Sequence, residues 1–362
     1  MAAARVPRDV IELFLDAFCD GSPAKQAVAV CGLVSKDWVA PTRARLFSTV
    51  ILRQSTIASF LHIVNTSSSS IQPLVRTLRL CVPTTDRTFI DQALKLGSFP
   101  EVTTLEIEAD IGRWVGRMGQ ELFPNNFPRL ANLDLTAYDG TYFSAYEIFF
   151  TIQDFPTLES LKVHGEGFKP LDLRIPQVNS LPPNWHTLHL EMPMSGNFFE
   201  TFNDITRGGR IKMPQFTSLS MRDAWPQARS FLGGYLWRHG SKLQHLSFDA
   251  SDENMLSEPE ALADLTALRT LEIHIETSSV SPALLEIANE LKSPELATIN
   301  VIDPHQMSRR SKRDEMKQLD EVLAQDSFAK LSCFSFTGNA ALESKLREML
   351  PLCATRGIIR VV

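Results

Sequence analysis

The chain has little glycine for its size, 17 residues in 362, and none of it forms a phosphate-cradling motif. There is no Walker loop and no GxGxxG run, so the common nucleotide-binding signatures are missing. Gly208-Gly209 and Gly233-Gly234 are isolated pairs suited to turns or close packing. Cysteine is also scarce. The five residues, Cys19, Cys31, Cys81, Cys333 and Cys353, are far apart, odd in number and form no CxxC. That excludes a disulfide framework and a cysteine zinc knuckle, and it suits a reducing compartment, cytoplasmic or nuclear. No run of 18 apolar residues occurs, so no membrane-spanning helix is expected. Asp9, Glu12 and Asp16 interrupt the apolar N-terminus, so it does not read as a secretory leader. An excess of basic charge is missing too. With 36 Lys and Arg against 42 Asp and Glu, the net charge of −6 argues against a nucleic-acid coat.

What the chain has is phenylalanine and proline. Phe supplies 22 residues against 5 Trp and 4 Tyr, and Pro (21) outnumbers Gly. Phe has no polar handle, so the aromatics here chiefly fill space. The length exceeds the roughly 250–300 residues that one hydrophobic core supports, which implies two domains or a repeat that never closes a single core.

A repeat is present. The pattern is apolar, two variable residues, apolar, one variable, apolar. It runs through Phe47/Val50/Leu52, Val75/Leu78/Leu80, Val102/Leu105/Ile107, Leu130/Leu133/Leu135, Leu158/Leu161/Val163 and Trp185/Leu188/Leu190. It continues in Phe216/Leu219/Met221, Leu243/Leu246/Phe248, Leu268/Leu271/Ile273, Leu296/Ile299/Val301 and Leu331/Phe334/Phe336, with a partial copy at Ile359/Val361. Steps between the middle residues are 28, 27, 28, 28, 27, 31, 27, 25, 28, 35 and 25, a mean near 28. A triple at this composition is apolar by chance roughly 9% of the time, so eleven copies near one period are not accidental. Phe99-Pro100, Phe127-Pro128, Phe155-Pro156 and Met213-Pro214 precede their triples by two or three residues, and Ser293-Pro294 matches more loosely. Pro sets an extended backbone before a strand, and the Phe is placed to plug the gap between turns. Helical faces lie between: Ile90, Ala93, Leu94 and Leu96; Phe143, Tyr146, Ile148, Phe149 and Ile152; Phe231, Leu232, Tyr235, Leu236 and Trp237.

One strand and one helix per period is the layout of the leucine-rich repeat, which residues 47–362 resemble. The fold class expected is α/β: a short helical N-terminal block at 1–47, then a solenoid at 48–362 with a curved parallel sheet and helices on its convex side. The family's Asn, three residues after the last strand position, is replaced by Pro83, Asp110, Tyr138, Glu166, Pro193, Ala224, Ser251, Glu276 and Pro304, and only Asn339 fits. Irregular turns, satisfied by backbone or water, are therefore expected.

The N-terminal block reads differently. Pro7 suits the first turn of a helix, and Val10, Ile11, Phe14 and Phe18 make one apolar stripe. A second helix runs from about Ala24 with Ala27, Val28, Val30, Cys31, Leu33 and Val34 apolar, and Pro41 is expected to restart a short third helix. Val6-Pro7, Val10-Ile11, Phe14, Cys31-Gly32-Leu33-Val34-Ser35-Lys36-Asp37-Trp38, Arg43 and Leu46-Phe47 together resemble an F-box. Val6 stands where Leu is commoner. The whole layout is similar to a large group of fungal F-box proteins. The resemblance implies a substrate receptor of a Skp–cullin–F-box ubiquitin ligase, with the block docking the Skp adaptor, and cullin through it, while the repeats hold a protein substrate. The docking residues it implies are Pro7, Ile11, Phe14, Val30, Leu33, Val34 and Trp38. Each could equally be three-helix core. The alternative is a repeat scaffold or sensor whose N-terminal block only caps the solenoid.

Strand side chains alternate, so the residue after each middle position faces the concave side. The substrate-face candidates are Arg79, Glu106, Asp134, Lys162, His189, Glu272 and Asn300, with Ser220, Ser247 and Ser335 in the same column. The preceding column is mostly small hydroxyls. Residues 1–50 carry +1 and the remainder −7, so a basic substrate segment is favoured electrostatically. The 35-residue step holds Arg309-Arg310-Ser311-Lys312-Arg313, then Met316, Leu319, Val322 and Leu323 on one helical face. It reads as a convex-side helix with Arg310/Asp314 and Lys317/Glu321 pairs, or as an import signal or phosphate contact.

Catalytic constellations are not found. Ser22-Pro23-Ala24-Lys25 matches SxxK without any partner motif. His186 and His189 point to opposite strand faces, and His164 and His274 lie four repeats apart, so neither pair shares a metal. No enzyme activity, metal or cofactor is expected.

Overall fold

The structure is a computed structural model. It describes residues 7–18, 24–66, 71–81, 89, 92–93, 95–109, 126–137, 144–165, 178–192, 196–206, 211–222, 226–250, 261–275, 280–302 and 313–362. Three helices come first: α1 (Arg8–Phe18), α2 (Ala24–Cys31) and α3 (Lys36–Ser48). Twelve strands then follow in chain order: β1 (Thr49–Arg53), β2 (Thr77–Cys81), β3 (Thr104–Ala109), β4 (Asn132–Ala137), β5 (Ser160–His164) and β6 (Thr187–Glu191), then β7 (Ser218–Arg222), β8 (His245–Asp249), β9 (Thr270–His274), β10 (Thr298–Ile302), β11 (Cys333–Phe336) and β12 (Ile359–Val361). They form one parallel sheet in sequential order, with β1 and β12 at its two ends, so the sheet does not close into a barrel. An α/β repeat solenoid is what the 28-residue period demands, because each strand can pair only with the copies before and after it.

The register follows the repeat. Leu78 pairs with Leu105, Leu105 with Leu133, Leu133 with Leu161 and Leu161 with Leu188, and the alignment continues to Phe334 and Ile359. These middle residues and the apolar ones two positions on are buried against helices that include α4 (Gln54–Thr66), α5 (Ala145–Ile152), α6 (Gly196–Thr206), α7 (Pro226–His239), α8 (Val280–Glu290) and α9 (Arg313–Leu323). Parallel strands need such a crossover, and the crossovers cover one face of the sheet.

The phenylalanines before each Pro do plug the turns. Phe99 and Phe127 are buried with ring centroids 6.2 Å apart, and Phe60 of α4 extends the stack at 6.3 Å from Phe99. In a later repeat the same position is Gly240, where an added Cβ would collide with Leu265, the residue one repeat further on. Glycine there lets two turns approach closely. The backbone carries much of the turn regularity. The Arg76 carbonyl accepts from the Thr103 and Thr104 amides at 2.9 and 3.1 Å, and the carbonyls of Thr103, Ala131, Glu159, His186, Thr217, Gln244, Arg269 and Ala297 do the same for the next repeat. This double acceptance needs no side chain. Asn339, the one residue matching the family's turn Asn, instead caps the following helix α10 (Ala340–Met349), accepting from the Leu342 amide at 3.1 Å. The other turn positions without Asn lie outside the described residues.

Two expectations need correction. Pro41 does not restart a helix; α3 runs from Lys36 through it. Pro41 removes one backbone donor, yet α3, packed against α1 and α2, continues through it to Ser48. Trp237 is not on the buried face of α7 but 54% exposed, with the Arg238 guanidinium 5.8 Å from its ring centroid. Tyr235 and Leu236 take the interior positions instead. The Tyr235 hydroxyl accepts from the Phe216 amide at 2.9 Å and donates to the Pro214 carbonyl at 3.0 Å, and burial pushes its pKa up to about 12.

The C-terminal end is clamped. The buried Asp320 carboxylate of α9 accepts from the Leu352 and Cys353 amides at 2.8 and 2.9 Å, which caps α11 (Pro351–Thr355). Arg356 donates to the carbonyls of Leu323, Phe328 and Leu331. The last strand, β12, is only three residues long and carries exposed Arg360, and a short charged edge discourages pairing with another chain. Within the 35-residue step, Met316, Leu319 and Leu323 are buried, Val322 is half-buried, and Lys317 lies 3.9 Å from Glu321. Residues 309–312 of the basic run lie outside the described residues, and Arg313 is exposed beside Glu348 at 3.3 Å.

Candidate functional site

Two surfaces stand out, and the first is the N-terminal helical block. It has its own small core of Ile11, Leu15 and Val28, with Cys31, Trp38 and Leu46 partly buried around it. Leu46 faces this cluster while the next residue, Phe47, packs on the solenoid core, so α3 joins the two without a linker. The apolar residues around that core divide sharply. Ile11 is 1% exposed and is packing, not surface. Phe14 is 44% exposed and meets Trp38 edge-on at 5.4 Å. Val30, Leu33 and Val34 are exposed together because the chain turns tightly after α2, with the Leu33 amide donating to the Val30 carbonyl at 2.9 Å and the Val34 amide to Cys31 at 3.1 Å. Leu33 is 86% exposed. Pro7 is exposed and Trp38 half-buried. Val10, Leu13 and Val39 are exposed as well, and the sequence pattern alone does not mark them as surface. A small block showing this many large apolar side chains presents the kind of patch that a protein partner covers.

The second surface is the face of the sheet away from the helices. Strand pairing puts Arg79, Glu106, Asp134, Lys162, His189, Ser220, Ser247, Glu272, Asn300 and Ser335 in one row, each directly beside the next. A second row on the same face, two residues further along each strand, adds Glu108, His164, Glu191, Arg222, Asp249 and His274. The alternation rule extends to this row, beyond the two columns that flank the middle residue.

The two rows are knitted together. Arg79 pairs with Glu108 and lies 3.7 Å from Glu106, and Lys162 lies 3.5 Å from Asp134. Glu191 Oε2 has His164 Nδ1 at 3.2 Å and His189 Nε2 at 3.6 Å, while its Oε1 is 3.8 Å from Arg222 Nη1. Arg222 also reaches across β8 to Glu272, with Nη2 at 2.8 Å from Oε1. The same oxygen accepts from Ser247 Oγ at 3.0 Å and faces His274 Nε2 at 2.9 Å. Ser335 Oγ donates to Asn300 Oδ1 at 2.6 Å. Two glutamates are thus hubs, and Arg222 bridges them.

The electrostatics follow from these contacts. Partial burial works against ionisation of Glu272, but hydrogen bonds from His274, Arg222 and Ser247 outweigh it and hold its pKa at about 2. Glu191 is lowered for similar reasons, burial being overcome by His164 and Arg222. Burial pushes His189 below the usual histidine value, against the pull of Glu191, so it is neutral at pH 7. Because Glu272 titrates below the ordinary 4.5, its charged form stabilises the fold above that value, and the contribution is lost as pH falls from about 4.5 toward 2. The melting temperature should fall over that window, and by less in Glu272→Gln; superimposable acid profiles for the two proteins would refute the assignment.

No family model matches the chain, and no curated protein matches it. Among solved structures, the crystal structure of a Bacteroides fragilis protein is similar at 12% identity with a TM-score of 0.41, over 76% of this chain and 71% of that one. Among the described residues, no helix is long and apolar enough to cross a membrane.

Proposed function

We propose that this protein is the substrate-recognition subunit of a Skp–cullin–F-box ubiquitin ligase, its N-terminal block an F-box and its solenoid a leucine-rich-repeat domain that binds a protein substrate. The observation that carries the proposal is the apolar surface of the block. Phe14, Val30, Leu33 and Val34 are left outside a core that Ile11, Leu15 and Val28 already fill. If the block served only to cap the solenoid, these side chains would face the first repeat, yet they are exposed. Central apolar anchors of this kind provide most of the energy of a protein interface. The adaptor leads to cullin, and the continuous helix α3 would hold the substrate face at a fixed attitude to it. In such an assembly the receptor performs no bond chemistry. It raises the local concentration of the target beside a partner enzyme.

Co-expression with a Skp adaptor tests this. A stable complex is expected on gel filtration. Failure to form a complex with any Skp homologue of the same organism would sink the proposal.

A further inference from the structure

The centre of the open sheet face carries a detail that the docking reading does not use. Ser220 is 4% exposed, and its hydroxyl makes no hydrogen bond. Its neighbours in the row behave otherwise, since Ser247 is bonded to Glu272 and Ser335 to Asn300. A buried polar group without a partner is costly, so an orphan hydroxyl among charged side chains calls for an explanation. Beside Ser220 in register is His189, whose buried Nε2 faces Glu191 Oε2 at a long 3.6 Å. Two residues on, along the same strand and face, is Arg222. Three carboxylates lie around them, Glu191 on β6, Asp249 on β8 and Glu272 on β9, with Lys162 of β5 on the other side of His189. Arg222 is the cation held between these carboxylates.

From this arrangement we infer that the carboxylates around Ser220 form a receptor for a cationic side chain, lysine or arginine, of a basic segment in the protein substrate, and that Arg222 occupies it until the substrate arrives. An ammonium or guanidinium group has several N–H donors and no acceptor. Glu191 and Glu272 offer it carboxylate oxygens and Ser220 a hydroxyl oxygen. An anion would meet three carboxylates here against Arg222 and Lys162. Entry requires Arg222 to release Glu191, where its contact is long at 3.8 Å, and then to yield Glu272, 2.8 Å away, to the incoming cation. The inference rests on the substrate-receptor reading, and it adds the chemistry of the substrate and a built-in competitor.

The sign of the Arg222 effect decides the matter. The test uses the full chain and a fluorescein-labelled Gly/Ser peptide bearing three lysines, with a matched peptide bearing three glutamates, in anisotropy titrations at low and high salt. The lysine peptide should bind and the glutamate peptide should not. Arg222→Gln should tighten lysine-peptide binding by about fivefold, because it removes both the competitor and a positive charge. Glu191→Gln should weaken it by about fivefold. Lys162→Gln, an exposed neighbour whose loss does not threaten folding, should tighten it modestly. Weaker binding in Arg222→Gln, or preference for the glutamate peptide, overturns the inference, as does binding of neither peptide. Adaptor co-purification of the same proteins separates the two proposals. An intact adaptor complex without peptide binding leaves the ligase reading standing and removes this one. Peptide binding without an adaptor complex does the reverse.

Discussion

Replacing Trp185 with alanine should destabilise the solenoid by about 3–5 kcal/mol, the usual range for truncating a large buried aromatic. Trp185 opens the triple of its repeat at a position that Val, Leu or Phe fills in most others, so here one turn holds a larger side chain than its neighbours do. It is 2% exposed. Phe216 lies 5.1 Å from it edge-on, Phe202 5.9 Å and Phe149 6.5 Å, centroid to centroid. Its indole N–H donates to the Thr187 carbonyl at 2.8 Å. Alanine would remove the ring from between the helices α5 and α6 and the strands, and the rigid aromatic neighbours could collapse only partly into the gap. Trp185→Leu should cost clearly less, because leucine is what several sister repeats use there. Urea denaturation followed by circular dichroism measures both. A shift below about 1 kcal/mol for the alanine variant would mean that the aromatic cluster is not a packing centre. Since repeats contact mainly their neighbours, a broadened or two-step transition is a further expected sign that the break is local.

Leu33→Asp should abolish capture of the Skp adaptor while leaving the melting temperature unchanged. The side chain is almost wholly exposed, so the free protein loses no packing when it is replaced. In a complex it would be buried, and a carboxylate there would be desolvated without a partner. A central anchor is commonly worth about 2 kcal/mol or more, which is roughly a thirtyfold loss of affinity, and charge reversal of the surface adds to that. Leu33 is a cleaner probe than Trp38. The indole of Trp38 leans on Ile11, Leu15 and Val28, so removing it disturbs the block as well as its surface. Normal adaptor binding by a Leu33→Asp, Val34→Asp double variant would show that this turn is not the docking surface.

The solenoid was legible because its period is long and its copies many. Strand positions, sheet order and register all follow from eleven triples in line. Legibility ended where a single residue's surroundings decide the outcome. Pro41 reads as a helix boundary by its intrinsic preference, yet packing against α1 and α2 carries α3 through it. Trp237 matches an apolar pattern, yet α7 turns Leu232, Tyr235 and Leu236 inward and leaves Trp237 outside. The column after each middle residue is legible, whereas the hub Glu191 and the bridging Arg222 sit one alternation further along, and nothing in their spacing shows that Arg222 spans a whole strand. That span depends on Ser247 being small, a relation between repeats and not within one. In the N-terminal block the apolar stripes were visible, but not which members turn inward: Ile11 and Phe14, three apart on one helix, have opposite fates.

The doubly accepting carbonyls at the strand starts make most of this molecule indifferent to its own length. Each joins one unit to the next by backbone alone, so a copied unit of about 28 residues could be spliced in and meet the same bonds on either side. The Arg222–Glu272 bridge is different. It skips β8 and binds units seven and nine across it, and an extra unit inserted between them would pull that contact apart. The chain could therefore lengthen by duplication toward either end, while β7 to β9 form a stretch that must be inherited whole.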